Sequence, residues 1–184
     1  MLHVQHGAVD EAVSRIELIS RMEIDDHFIS VPMQHCNHAL YGLAAEGNIV
    51  QVETIDLLIL GIPTWGIGEI QDDWAVFLPG LKDLDLTGKK VAIFGLGDQE
   101  SYPDTFSDAL GTLYDSLSET GCEIIGSWST LGYEFMDSSA LRDGMFAGLV
   151  LDEENQPQLT DLRIKDWLET IIPNGKSEGQ SSHI

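Results

Sequence analysis

The sequence predicts a doubly wound α/β fold, a parallel sheet with helices on both faces. Three observations predict it. Leu57-Leu58-Ile59-Leu60 is an apolar run that stops at Gly61, the length and character of a strand buried on both faces. Val91-Ala92-Ile93-Phe94 repeats the plan and stops at Gly95. Between and after these runs lie segments whose apolar residues recur at helical spacing, so that strand and helix alternate. In such a sheet, ligands bind outside the carboxyl ends of the strands, so the residues just past each run are the candidate ligand contacts.

Leu57 to Gly61 reads as the first clear strand, and Gly61, Pro63, Gly66 and Gly68 read as a loop after it. Asp72 to Phe77 reads as a short helix stopped near Pro79-Gly80, followed by a polar connection over 81–90 that turns at Thr87-Gly88-Lys89-Lys90. The second strand is Val91 to Gly95. Thr105 to Thr120 reads as a helix, with Phe106, Leu110, Leu113 and Leu117 on one face and Gly121 at its carboxyl cap. Glu123 to Ser127 and Ala147 to Leu151 are further strands. The last helix runs from Thr160, read as the N-cap, to Ile172, with Ile164, Trp167, Leu168 and Ile171 inward and Pro173 ending it. Trp74 and Trp167 are expected in the core. The first fifty residues are less patterned: Glu11 to Met22 reads as a helix, and Phe28 to Val31 and Ile49 to Val52 as short strands. One domain over 1–173 is expected, with 1–54 atypical and 174–184 a polar tail.

Bulk properties limit the function. The 31 acidic and 9 basic residues give a net charge of −22, which disfavours nucleic acid and anionic membrane surfaces and suits encounter with basic proteins. No apolar run approaches the roughly 20 residues that span a bilayer, and no basic stretch followed by an apolar one marks a secretory signal, so a cytoplasmic location is expected. Cys36 and Cys122 form no framework and are read as free thiols. His3/His6 and His35/His38 are spaced i, i+3, but no cysteine or carboxylate set accompanies them, and no metal site is expected. No acid–base pair or nucleophile emerges.

Four segments carry a resemblance. Ile62-Pro63-Thr64-Trp65-Gly66-Ile67-Gly68-Glu69-Ile70-Gln71-Asp72-Asp73-Trp74 is similar to the flavin-stacking loop of bacterial flavodoxins. Phe94-Gly95-Leu96-Gly97-Asp98-Gln99, with Tyr102, Phe106 and Asp108-Ala109-Leu110-Gly111, resembles their second flavin loop and the helix after it. The stretches 126–135 and 146–156 resemble the insertion that splits the last strand of the long-chain members. The resemblance runs from about Ile55 to Ile172. It implies a five-stranded flavodoxin-like sheet and a low-potential one-electron carrier, not an enzyme, using non-covalently bound flavin mononucleotide (FMN). It also implies a monomer that works between a flavodoxin reductase and acceptor enzymes.

The resemblance also implies residue roles. Trp65 and Tyr102 stack on opposite faces of the flavin ring. Thr64, Gly66 and Gly68 bring backbone groups to it, with the Gly66 peptide best placed to flip at a ring nitrogen. Gly97, Asp98 and Gln99 bond the pyrimidine edge, Asp98 accepting from a ring N–H. Around these loops the acids Glu69, Asp72, Asp73, Asp98, Glu100, Asp104 and Asp108 disfavour an anionic reduced flavin and lower its potential. The family's T/S-x-T-G-x-T phosphate loop has no counterpart in Met1 to Gln51. This motivates an alternative: a protein of the same fold that binds FMN weakly or not at all, as an interaction protein or relic. A quinone reductase of the same fold is a weaker rival.

Overall fold

The structure, a computed structural model, describes residues 31–32, 38–41 and 57–172. The described strands are β1 (Val31–Pro32), β2 (His38–Tyr41), β3 (Leu57–Trp65), β4 (Glu69–Ile70), β5 (Lys90–Leu96), β6 (Glu123–Ile125), β7 (Leu141–Arg142), β8 (Met145–Phe146) and β9 (Leu149–Leu151). The helices are α1 (Asp72–Lys82), α2 (Asp108–Ser118) and α3 (Thr160–Ile171).

The two apolar runs lie at the centre of the sheet. β3 and β5 pair in parallel from Leu57↔Lys90 to Pro63↔Leu96. On the far side of β3, β2 pairs in parallel from His38↔Leu57 to Tyr41↔Leu60, and β1 pairs antiparallel with β2. On the far side of β5, two short strands share one edge. β6 pairs with Lys90–Ala92 and β9 with Phe94–Leu96. One strand position is thus filled in two halves, with the insertion 126–148 emerging between them, as the resemblance implies.

Alternation along the strands divides the core between two faces. Leu58, Leu60 and Ile62 of β3, Val91 and Ile93 of β5 and Val150 of β9 pack with α1 and α2 on one face. Leu57 and Ile59, Ala92 and Phe94, and Leu149 and Leu151 pack with α3 on the other. Helices therefore cover both faces. The inward residues read from helical spacing (Leu110, Leu113, Leu117, Ile164, Trp167, Leu168, Ile171) are all buried, as are Trp74 and Trp167.

Several element limits differ from the sequence reading. β3 continues through Gly61 and Pro63 to Trp65, because β4 folds back on it, pairing Thr64↔Ile70 and Trp65↔Glu69. α1 runs on to Lys82 with Pro79 inside it. A mid-helix proline costs about 3 kcal/mol, but burial of Leu78 and Leu81 returns about 1.5–3 kcal/mol each. α2 starts at Asp108, after a 3-10 turn at Pro103–Thr105. Thr160 is not a side-chain cap: its hydroxyl donates to Glu153 Oε1, and the N-cap position falls on Leu159. Within the insertion, β7 and β8 form a hairpin about Asp143-Gly144, both at positive φ (52° and 82°), the geometry that an Asp-Gly pair favours. The readings at Glu11–Met22, Ile49–Val52, Pro173, Cys36 and residues 174–184 lie outside the described residues. Cys122 is free and half-buried.

Gly148 marks the tightest junction between insertion and sheet. A Cβ built there would lie 2.0 Å from the carbonyl oxygen of Ile93 in β5. Backbone cannot yield as a flexible side chain can. Gly148→Ala is therefore expected to destabilise the protein by about 1–3 kcal/mol, read as a lowered urea midpoint at unchanged m-value.

Candidate functional site

The site is built where two neighbouring parallel strands end. β3 delivers Thr64 and Trp65, and β5 delivers Leu96 followed by Gly97, Asp98 and Gln99. Pro63 and Leu96 are register partners, so the two loops leave the sheet side by side.

The first loop is a tight reversal. Trp65 is half-buried. Gly66 (φ 48°) and Gly68 (φ 89°) take left-handed conformations on either side of Ile67, which glycine adopts without a Cβ penalty. The Ile67 N–H donates to Glu69 Oε2 at 2.8 Å, and a Cβ on Gly66 would lie 2.0 Å from that oxygen. A side chain at 66 would be strained by the positive φ and would displace the glutamate that braces the turn. The hydroxyl oxygen of Thr64 is buried with no hydrogen-bond partner among the described residues. An orphaned buried hydroxyl at a strand end marks a place where a polar ligand atom would be stabilised.

The second loop is held from beneath. The Gly97 N–H donates to the Leu151 carbonyl at 3.1 Å, and the Tyr102 N–H to the Asp98 carbonyl at 3.1 Å. Asp98 Oδ1 accepts from the N–H groups of Glu100 (3.1 Å) and Ser101 (2.8 Å) and from Asn155 Nδ2 (2.9 Å). Burial pushes the Asp98 carboxyl up, but the hydrogen bonds from Ser101, Asn155 and Glu100 outweigh it and hold it below the usual carboxylate value. It is thus a carboxylate that shapes the turn as well as a site residue. Gln99 is buried. Its N–H donates to Asp152 Oδ2 at 3.1 Å, and its side-chain oxygen accepts from the Glu134 N–H at 2.6 Å. Tyr102 is 44% exposed, an aromatic face open to a flat ligand.

The two loops meet through the segment 105–108. A Cβ on Gly68 would lie 3.0–3.2 Å from Asp108 and Thr105, and one on Gly97 would lie 2.5–2.9 Å from Ser107 and the Phe106 ring. Sequence reasoning missed Ser107. It is fully buried, at φ 57°, and its hydroxyl has no hydrogen-bond partner among the described residues. A strained non-glycine residue with an unsatisfied polar atom is what functional sites accumulate. No sequence signal separates Ser107 from an ordinary helix-capping serine. Of the acidic rim, Glu69, Asp72, Glu100 and Asp104 are exposed, while Asp108 is turned to the insertion, accepting from the Ser139 N–H at 2.7 Å.

This architecture has known relatives. The family model described as Flavodoxin matches residues 37–167. The chain belongs to the flavodoxin family. The flavodoxin match starts nearer the N-terminus than the loop motifs do and takes in β2. Flavodoxin from Synechocystis sp. is 51% identical over 116 residues, covering 63% of this chain and 68% of the relative. Flavodoxin 1 of Escherichia coli K12 is 47% identical over 128 residues, covering 69% and 73%. Among solved structures, Fusobacterium nucleatum flavodoxin bound to flavin mononucleotide matches with a TM-score of 0.59 and 40% identity, over 64% of this chain and 70% of that one. Among the described residues, no group of His, Cys, Asp and Glu could hold a metal ion, and no helix is long and apolar enough to cross a membrane.

Proposed function

We propose that this flavodoxin is a low-potential one-electron carrier that holds FMN between Trp65 and Tyr102, an electron-transfer protein rather than an enzyme. The observation that carries the reading is the pairing of two glycine loops at the carboxyl ends of adjacent parallel strands, each delivering one aromatic, with the orphaned Thr64 hydroxyl beside them. These residues fit the ring end of the cofactor. The segment in which the family carries its phosphate loop lies outside the described residues.

When bound, the flavin supplies reversible one-electron chemistry. The chain positions and tunes it. Trp65 and Tyr102 cover the two ring faces and exclude water. The Gly66 peptide, at positive φ, would be free to present either its N–H or its carbonyl to a ring nitrogen. Gly68 brings backbone to the ring, and Gly97, Asp98 and Gln99 border its pyrimidine edge. The acids around the loops oppose added negative charge on the ring and so lower its potential, to an extent that salt reduces. The same rim steers basic partners, a reductase and acceptor enzymes, to the exposed flavin edge. The protein acts as a monomer in the cytoplasm.

Fluorescence titration of the full-length apo-protein with FMN, beside riboflavin, tests the reading. Submicromolar quenching by FMN, much tighter than by riboflavin, is expected. Equal, weak binding of both overturns tight cofactor use and leaves only a ring site, as in an interaction protein. Trp65→Ala is expected to weaken binding of both flavins by about tenfold, the loss of one stacking contact, while leaving the urea midpoint nearly unchanged.

A further inference from the structure

The segment 97–102 owes its shape to two residues far away in sequence. Asp152, at the end of β9, is fully buried. Its Oδ2 accepts the Gln99 N–H at 3.1 Å, and its Oδ1 accepts the Asn155 N–H at 2.9 Å. The Asn155 carboxamide nitrogen reaches Asp152 Oδ1 and Oδ2 at 2.9 and 3.0 Å and Asp98 Oδ1 at 2.9 Å. Two carboxylates from distant parts of the chain are thus joined through one neutral NH2 group. A carboxamide NH2 has two hydrogens, one for each carboxyl group. Without it, the two carboxyl groups would keep only their backbone donors and nothing would join them.

The consequence falls on the loop. Asp98 uses its remaining acceptor capacity to hold the Glu100 and Ser101 N–H groups, and its carbonyl holds that of Tyr102. Asp152 holds Gln99. Asp98 is therefore bonded to Asn155 directly, and Gln99, Glu100 and Ser101 are linked to it through one carboxylate each, while Tyr102 is held by the Asp98 backbone. We propose that Asn155 and Asp152 are positioning residues that preorganise the 97–102 loop for the flavin ring. This rests on the electron-carrier reading for the identity of the ligand, but the preorganisation itself belongs to the chain without ligand.

The test has two readouts on the full-length protein. In the apo-protein of Asn155→Leu, which keeps the side chain's size and removes its donors, amide exchange at Gln99, Ser101 and Tyr102 is expected to accelerate while that at Leu113 and Leu117 in α2 stays protected. In titrations, FMN and riboflavin are expected to weaken by the same factor, roughly ten- to a hundredfold, because only ring contacts are disturbed. Asp152→Asn, of the same outline, provides a second variant should the first fail to fold, and it is expected to expose Gln99 to exchange and weaken both flavins likewise. Unchanged exchange at 99–102 together with unchanged flavin affinity overturns the proposal. So does a uniform loss of protection extending into α2, which would assign the pair a merely structural role. Failure of the wild-type protein to bind either flavin while loop exchange responds as stated would instead overturn the electron-carrier reading and leave the loop preorganised for another flat ligand.

Discussion

Phe106→Ala is expected to lower the stability of the protein by about 3–5 kcal/mol, the range for removing a fully buried aromatic ring. Phe106 has no exposed surface and stands where three parts of the fold join. Its ring centroid lies 5.4 Å from that of Phe135, 5.8 Å from Tyr133 and 6.0 Å from Phe146, all three residues of the insertion. These rings also contact one another, Tyr133 and Phe146 at 5.4 Å and Phe135 and Phe146 at 5.3 Å. The backbone is committed as well: the Phe106 N–H donates to the Asp137 carbonyl at 3.3 Å, and its carbonyl accepts from the Ser138 hydroxyl. Alanine would keep the backbone bonds and leave a cavity that rigid aromatic neighbours cannot fill. Because the ring also lies against Gly97, the loss should extend to flavin affinity. Urea unfolding followed by far-UV circular dichroism checks it, with exposed Tyr102→Ala as the control expected within about 0.5 kcal/mol of wild type. A loss below about 1 kcal/mol for Phe106→Ala would mean that the insertion does not pack on this ring.

What the sequence made legible was whatever depends on near neighbours. The buried runs at 57–60 and 91–94, the inner faces of α2 and α3, and the two loops with Trp65 and Tyr102 all come from local pattern. What it hid depends on distant contacts. Gly61 reads as the end of a strand, yet it lies inside β3, where a Cβ would come within 2.1 Å of the Phe94 ring. The glycine admits that ring and turns nothing. Pro79 reads as a stop, yet buried Leu81 draws the helix past it. Thr160 has the composition of a cap but spends its hydroxyl on Glu153. In the site, Gln99 reads as a ligand contact, and the structure shows its N–H and side-chain oxygen already bound to Asp152 and Glu134. The Asp143-Gly144 pair was a readable hairpin signal. No local signal marked the strain at Ser107 or the link from Asn155 to Asp98.

The insertion offers a second large effect, in pH. The Tyr133 hydroxyl accepts from Trp128 Nε1 at 3.0 Å and donates to the Val150 carbonyl in β9, so one phenol ties the insertion to the split strand. Burial pushes its pKa up to about 12, against the opposing pull of the Arg163 guanidinium, which lies 4.0 Å from the ring centroid. In the unfolded chain the phenol titrates near 10. Between these values the folded protein keeps a proton that the unfolded chain has released. The contribution is therefore complete below about pH 10 and is lost as pH rises through about 12. Two units correspond to about 3 kcal/mol. The comparison with Tyr133→Phe isolates the effect from other tyrosines and lysines that titrate in the same window. At neutral pH the variant should be less stable by about 1–2 kcal/mol, because Trp128 Nε1 and the Val150 carbonyl lose their partner. As pH rises from about 10 to 12, wild type should lose stability faster, so that the two curves converge and cross. Parallel curves across that window would mean that the phenol is solvated and that the insertion is held to β9 by packing alone.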